Sequence, residues 1–158
     1  MENRGYTYHI KDSYFDKLKK LGLDKGLMSN KEGEGFRPTY YCLEDGDTGL
    51  LYMIPLSTRT EKYREIYRRS VDRYGECLGI VLGSYDGKAA SFLLQNMFPI
   101  TEKYIDHVHT RNGNPVPVNK KIRDEIGQKI GKLRALVKRG KKVVFPDLSS
   151  IEAVMAED

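Results

Sequence analysis

Two short turns rich in aspartate and glycine each separate a pair of apolar segments in this chain of 158 residues. The first turn, residues 44–49, contains Asp45-Gly46, and the second, residues 83–88, contains Asp86-Gly87. Asp-Gly pairs favour the backbone conformation of tight β-hairpins. The sequence therefore predicts two antiparallel hairpins, formed by residues 39–43 with 50–54 and by residues 78–82 with 89–94.

The remaining segments alternate between the two regular periodicities. Residues 6–10 show the period of a half-buried strand, and residues 143–145 are apolar enough for a short strand. Apolar residues at helical spacing predict one helix that begins at Asp12 or Ser13 and ends at Gly22, and a second that runs from Ile122 to Gly140. A last helix is predicted over residues 147–157. Residues 24–35 and 110–117 are predicted loops. One α+β domain spanning residues 1–158 follows, with an antiparallel sheet and helices packed around it.

Two glycines lie inside the long predicted helix, at Gly127 and Gly131. Each costs about 1 kcal/mol relative to alanine in an exposed helix. We therefore expect either close packing of another backbone or a break in the helix at these positions.

An apolar segment runs directly into two hydroxyl side chains and a cation at residues 50–59. Because Pro55 lacks a backbone donor, we expect the strand to end there and to present Ser57, Thr58 and Arg59 at its rim. Hydroxyls beside a cation suit the binding of phosphate, whereas the same residues also occur in ordinary polar turns. The residues alone leave both interpretations open.

The charge pattern favours a polyanionic partner. The chain has a net charge of +5, and its cations concentrate in residues 59–73 and 120–142, the first group interleaved with tyrosines. Such a mixture can hold phosphates and stack bases, although an amphipathic helix with tyrosines packed on the core would look the same.

No apolar run approaches the roughly 20 residues of a membrane helix. Cys42 and Cys77 are widely spaced, which favours core packing in a reducing cytosol.

In the order and spacing of several segments, the chain resembles the ToxN/AbiQ endoribonuclease toxins of type III toxin–antitoxin systems. The resemblance covers nearly the whole chain. The segments are Tyr6 and Ile10 with the following Tyr14 helix, residues 52–58, residues 94–100, and residues 132–137 leading into Gly140. The resemblance implies a twisted antiparallel sheet like the barrel of the MazF/Kid toxins, and cleavage of RNA without metal or cofactor. It also implies a bacterial cytoplasmic protein of phage defence that cuts cellular or phage mRNA. Its antitoxin would be a repeat-derived RNA pseudoknot, which the toxin processes and with which it forms closed assemblies.

The family's site residues can be carried over position by position. The resemblance places its hydroxyl pair on Ser57 and Thr58, its helix tyrosine on Tyr14, and its following cation on Lys62 and Arg59 jointly. Relatives can have the hydroxyls in the order Thr-Ser, so the essential one of the pair stays open. Tyr14 also lies on the apolar face of its helix, where packing alone would explain it. The candidate RNA-binding residues are Arg37, Tyr40, Tyr63, Arg64, Arg68, Lys120 and Lys141.

The chemistry can be argued from the residues as well. RNA cleavage without a metal uses the substrate's 2′-hydroxyl as nucleophile, so the protein must align it, accept its proton and stabilise the charged phosphorane. The products are a 2′,3′-cyclic phosphate and a 5′-hydroxyl. The acidic residues are scattered, and we expect no metal site. A non-catalytic RNA-binding regulator and a protein-binding module are the alternative functions.

Histidines are the remaining candidates for acid–base chemistry, since they titrate near neutral pH. His107 and His109 are two residues apart, next to a loop rich in Gly, Asn and Pro. The expectation from the sequence is that their side chains point apart and have a surface role rather than a catalytic one.

Overall fold

The computed structural model describes residues 4–158, which form one large antiparallel sheet, two small hairpins and four helices. The helices are α1 (Asp12–Lys20), α2 (Thr60–Tyr74), α3 (Lys120–Lys138) and α4 (Leu148–Ala156). The strands are β1 (Thr7–Ile10), β2 (Lys31–Glu32), β3 (Gly35–Phe36), β4 (Thr39–Glu44), β5 (Leu51–Ser57), β6 (Ile80–Tyr85), β7 (Lys88–Leu93), β8 (Phe98–Ile100), β9 (Ile105–Val108), β10 (Thr110–Arg111) and β11 (Asn114–Pro115). The α+β prediction is confirmed.

The sheet runs in the order β6-β7-β5-β4-β1-β9, with β8 also paired to β5. Both predicted hairpins, β4–β5 and β6–β7, are present. The expected barrel is not: within residues 4–158 the terminal strands β6 and β9 are not hydrogen-bonded to each other, so the sheet stays open. A side-chain contact joins β6 to β1, because the Thr7 and Tyr85 hydroxyl oxygens lie 2.6 Å apart.

Strand β5 is central, and all seven of its residues are buried. The prediction that it ends at Pro55 is wrong, since the strand continues to Ser57. Pro55 lies where the neighbouring strand changes: residues up to Met53 pair with β8, and Leu56 and Ser57 pair with β7. A missing backbone donor is tolerated at such a junction.

The helices cover the sheet with separate apolar faces. Ile122, Ile126, Ile130 and Leu133 of α3 are buried in a cluster with residues of β5, β6 and β7. A second cluster joins α1 and α4 to β1 and β8, and a smaller one lies beneath α2. At the helix starts, Asn119 accepts from the Ile122 N–H and Asp147 from the Ser150 N–H, whereas α1 has no side-chain cap at Lys11.

Several local predictions need correction. Residues 143–145 form no strand, and the two predicted loops contain the short hairpins β2–β3 and β10–β11. Helix α3 runs unbroken past Gly127 and Gly131, and a Cβ at either glycine would meet no atom within 4 Å. Neither expected reason for these glycines therefore holds.

Within the described residues, no helix combines the length and apolar character that crossing a bilayer requires.

Candidate active site

The predicted hydroxyl pair lies at the point where β5 passes into α2. Ser57 is the last residue of β5 and is registered opposite Ser91 of β7, while α2 begins at Thr60. Ser57 is 1% exposed, and its Oγ accepts from the Arg59 N–H at 3.1 Å. Thr58 is exposed. The chain therefore holds one hydroxyl inside the rim of the sheet and the next one outside it.

A carboxylate from the β2–β3 hairpin binds both hydroxyls. Glu32 Oε2 accepts from Ser57 Oγ at 2.6 Å, and Glu32 Oε1 accepts from Thr58 Oγ1 at 2.7 Å and from the Thr58 N–H at 2.8 Å. Glu32 lies 25 residues before Ser57 in the chain. Its position follows from the hairpin, in which Glu32 pairs with Gly35.

The buried guanidinium of Arg37 completes this cluster. Its Nη1 donates to Glu32 Oε2 at 2.9 Å and to the Leu56 carbonyl at 2.8 Å, and its Nε donates to the Ser29 carbonyl at 2.8 Å. Arg37 is only 6% exposed. Arg37 is a predicted RNA-binding residue, but in the structure it is buried and its donors are directed at Glu32 and two backbone carbonyls.

The protonation of Glu32 is set by opposing effects. Burial of the carboxyl alone would raise its pKa, but the hydrogen bonds from Ser57 and Thr58 and the charge of Arg37 outweigh burial and lower the pKa to about 2. Glu32 is therefore an anion at neutral pH. Ser57 Oγ, Thr58 Oγ1, the Thr58 N–H and Arg37 Nη1 together form a binding site for one anion, which we call the anion cradle.

A cavity of about 330 Å³ opens beside the anion cradle. It brings together elements that are distant in sequence: the β2–β3 hairpin, the end of β5, the β6–β7 turn and the residue that follows β9. The polar residues that line it include Glu32, Ser57, Thr58, Asp86, Lys88 and His109. Asp86 and Gly87 both have positive φ, at 51° and 76°, as a two-residue hairpin turn requires.

Three histidines cluster behind the cavity. His9 Nε2 and His109 Nδ1 are 2.9 Å apart, and His109 Nε2 lies 2.9 Å from Asp86 Oδ2. The His9 ring also stacks on His107, with ring centroids 4.8 Å apart. Burial of His9, with the neighbouring His109 and His107, lowers its pKa to about 4. The expectation that His107 and His109 point apart is wrong: positions two apart on an extended chain share a face, and both rings contact His9.

The other predicted catalytic residues lie outside the cavity lining. Lys62 and Arg59 are exposed at the start of α2, where the Lys62 ammonium lies 5.3 Å from the centre of the Tyr63 ring. Tyr14 is fully buried, and its hydroxyl donates to the Pro99 carbonyl at 2.8 Å. Burial raises the pKa of Tyr14 well above its ordinary value. The structure thus gives Tyr14 a packing position, which was the alternative from the sequence.

The predicted RNA-binding residues divide by exposure. Tyr40 and Tyr63 are 5% and 4% exposed and pack in the core, so neither ring is available for stacking on a base. The exposed members of the set are Arg64, Arg68, Lys120 and Lys141. Arg68 is paired with Glu65, and Lys120 with Asp124. In residues 4–158, no group of three or more His, Cys, Asp or Glu side chains is arranged to hold a metal ion.

The sequence interpretation missed Glu32, Asp86 and His9 as site residues. Glu32 lies in a segment without periodicity, and Asp86 was interpreted only as part of a turn. His9 lies in a strand whose register with β9 was not known, although that register places it opposite His107. The one available signal was the positions of the histidines, since His107 and His109 fall on one face of an extended segment.

Similarity to known proteins is found in the structure rather than in the sequence. No protein-family model and no curated protein matches the sequence. A solved structure from a bacterial antiviral system regulated by a processed non-coding RNA superposes with a TM-score of 0.71 and 17% identity, covering 97% of this chain and 98% of that one. AbiQ, a lactococcal anti-phage endoribonuclease of the type III toxin–antitoxin system, superposes with a TM-score of 0.53 and 14% identity, covering 96% of each chain.

The chain has the AbiQ fold. The resemblance found in the sequence is therefore confirmed for the fold, over 97% and 96% of the chain in the two superpositions. The AbiQ fold carries an endoribonuclease in the lactococcal protein. In the present chain, the anion cradle and the cavity beside it are where this fold gathers polar side chains from distant elements.

Proposed function

We propose that this protein is an endoribonuclease toxin of a type III toxin–antitoxin system, which cleaves RNA without a metal by attack of the substrate's own 2′-hydroxyl. The anion cradle is the observation that carries the proposal. Four donors from Ser57, Thr58 and Arg37 meet on one carboxylate beside an open cavity. The shared fold with AbiQ supports the same function.

A scissile phosphate would take the place of the Glu32 carboxylate. Both groups are anions with several acceptor oxygens, and charge-assisted hydrogen bonds from hydroxyls, a backbone N–H and a guanidinium suit either of them. The exchange would leave the buried Arg37 paired with an anion throughout. The hairpin that carries Glu32 is not part of the large sheet, since β2 and β3 pair only with each other.

The cradle would then act on the reaction itself. Negative charge develops on the non-bridging oxygens of the phosphorane, and donors that are fixed before the reaction stabilise this charge without reorganising. Ser57 is held from two sides, by the Arg59 N–H and by the strand register, so its hydroxyl is preorganised. Thr58 would bind a second oxygen with its hydroxyl and its N–H. The products would be a 2′,3′-cyclic phosphate and a 5′-hydroxyl.

The exposed cations would bind the rest of the RNA. Arg59, Lys62 and Arg64 lie at the start of α2, directly after Thr58, and the basic residues of α3 and of the segment after it add a second patch. In this proposal the antitoxin is a repeat RNA that folds into a pseudoknot, is processed by the protein and joins it in a closed assembly. The targets are cellular or phage mRNA in the bacterial cytoplasm.

Incubation of the purified chain with single-stranded RNA in the presence of EDTA tests the catalytic part of the proposal. We expect cleavage by the wild type, and a rate at least about 100-fold lower for Ser57→Ala or Thr58→Val, since loss of one such donor typically costs that much. Ser84→Ala is the matched control, because Ser84 is an exposed residue of β6 that does not line the cavity.

Retained RNA affinity separates catalysis from binding. If the wild type binds RNA but does not cleave it, the protein is a non-catalytic RNA-binding regulator. If cleavage survives in both hydroxyl variants, the anion cradle is not the site. Expression of the chain alone should also arrest bacterial growth, and coexpression of a cognate repeat RNA should restore it.

A further inference from the structure

The cavity contains a second carboxylate, Asp86, that the anion cradle does not use. Asp86 lies at the tip of the β6–β7 hairpin, and its Oδ2 is bound to His109. Its Oδ1 is buried and accepts no hydrogen bond from any described residue. The nearest cation is the exposed guanidinium of Arg111, with Nε 3.4 Å from Oδ1. An acceptor in this position can take a donor from a ligand in the cavity.

The two carboxylates of the cavity differ in how many hydrogen bonds their oxygens accept. Glu32 accepts four hydrogen bonds, and its pKa is lowered to about 2, so it binds protons weakly. Asp86 has one oxygen, Oδ1, that accepts no hydrogen bond; it is buried and lies 3.4 Å from Arg111 Nε. When a phosphate displaces Glu32 from the anion cradle, Glu32 loses the four hydrogen bonds that orient it, whereas Asp86 stays held by His109.

The histidines fix the orientation of Asp86. A carboxylate can only accept, so His109 Nε2 must carry the proton that it donates to Asp86 Oδ2. In neutral His109 the other nitrogen, Nδ1, is then an acceptor and must receive its hydrogen bond from His9 Nε2. This chain of hydrogen bonds runs from β1 through His109 to the β6–β7 turn and occupies Oδ2. A ligand would therefore bind at Oδ1, which it reaches by displacing the exposed Arg111 guanidinium.

We propose that Asp86 is the general base of the reaction, and that His109 positions it. The inference rests on the proposed ribonuclease function. The 2′-hydroxyl gives its proton to Asp86 Oδ1 as the 2′-oxygen forms a bond to phosphorus. The bond between phosphorus and the 5′-oxygen then breaks, and that oxygen takes a proton from water. Asp86 afterwards releases its proton to solvent, which restores the carboxylate.

The decisive variant is Asp86→Asn, because asparagine tolerates the positive φ of this turn and has nearly the same shape. General-base catalysis typically contributes 10²–10⁴-fold, so we expect the single-turnover rate constant to fall at least about 100-fold. RNA affinity should change less than about threefold. Asp106→Asn is the matched control: Asp106 is an exposed acid beside His107 that does not line the cavity, and its variant should keep the wild-type rate.

A second variant and a second measurement keep the test decisive if the Asp86→Asn variant misfolds. Asp86→Gly also accepts positive φ and should show the same loss. His109→Gln should lower the rate less than Asp86→Asn and should move the acidic limb of the pH–rate profile, whereas a merely structural residue would leave that limb in place. The groups that face Asp86 and bear on this limb are His109, Arg111 and Tyr85, with Glu32 and Lys88 in the same cavity.

The outcomes distinguish the two proposals. If the wild type cleaves RNA and a folded Asp86→Asn or Asp86→Gly variant stays within about threefold of it, Asp86 is not the base and the ribonuclease function stands. If the wild type cleaves no RNA at any pH, the ribonuclease function fails and the assignment of Asp86 fails with it. An unmoved acidic limb in His109→Gln would remove the positioning role from His109.

Discussion

Replacement of Glu32 by glutamine tests how strongly the anion cradle holds its carboxylate. The pKa of Glu32 falls from 4.5 to about 2 on folding, and a difference of this size corresponds to at most about 3–4 kcal/mol of stability. Because the carboxylate also faces solvent, screening reduces this contribution. Glutamine keeps the shape but leaves the buried Arg37 without its anion. We therefore expect Glu32→Gln to lower the free energy of unfolding at pH 7 by about 1–2 kcal/mol.

The pH dependence gives the sign of this effect. A folded-state pKa below the unfolded value stabilises the fold above pH 4.5, and that stabilisation is lost as the pH falls from 4.5 towards 2. Urea denaturation of both proteins at pH 7, 5, 4 and 3 should show the difference shrinking below pH 4.5. Glu34→Gln, an exposed change in the same hairpin, is the control and should be nearly neutral. Equal effects of the two variants, or a difference that does not vary with pH, would refute the reasoning.

Three further substitutions test other parts of the structure by urea denaturation. Tyr14→Phe removes the hydrogen bond to the Pro99 carbonyl and should cost about 1–2 kcal/mol, while RNA cleavage stays within about threefold of wild type; a larger loss of cleavage would return Tyr14 to the site. Gly127→Ala should stabilise α3 by about 0.5–1 kcal/mol, since a Cβ there meets open space, and destabilisation would contradict the structure. Gly83→Ala should destabilise the protein by about 1 kcal/mol, because its Cβ would lie 2.5 Å from Ile122 Cδ1 and the end of that buried side chain must shift; a gain in stability would argue against the contact between β6 and α3.

Local patterns in the sequence were sufficient for much of the fold. Asp-Gly pairs predicted both hairpins, and the spacing of Ile122, Ile126, Ile130 and Leu133 predicted the buried face of α3. These signals lie within one turn or one helix. The end of β5 was predicted wrongly because a proline removes a donor only where a neighbouring strand needs it, and which strands lie beside Pro55 depends on contacts with distant segments.

The candidate site was predicted only in part, for a related reason. Ser57 and Thr58 were visible because they directly follow an apolar strand. Their partner Glu32 belongs to a short hairpin without a periodic pattern. The contact between Asp86 and His109 joins residues 23 positions apart, and that between His9 and His109 joins residues 100 positions apart. These contacts depend on the order and register of strands that are distant in the chain, which no local pattern encodes.

The claim that the substrate's own 2′-hydroxyl is the nucleophile can be tested on the substrate itself. After mapping a cut site, the same RNA is prepared with a single 2′-deoxynucleotide on the 5′ side of the scissile bond. We predict that the protein leaves this bond intact while it cleaves the all-ribose RNA to a 2′,3′-cyclic phosphate and a 5′-hydroxyl. Cleavage at the deoxy position, or products with 5′-phosphate ends, would contradict the account.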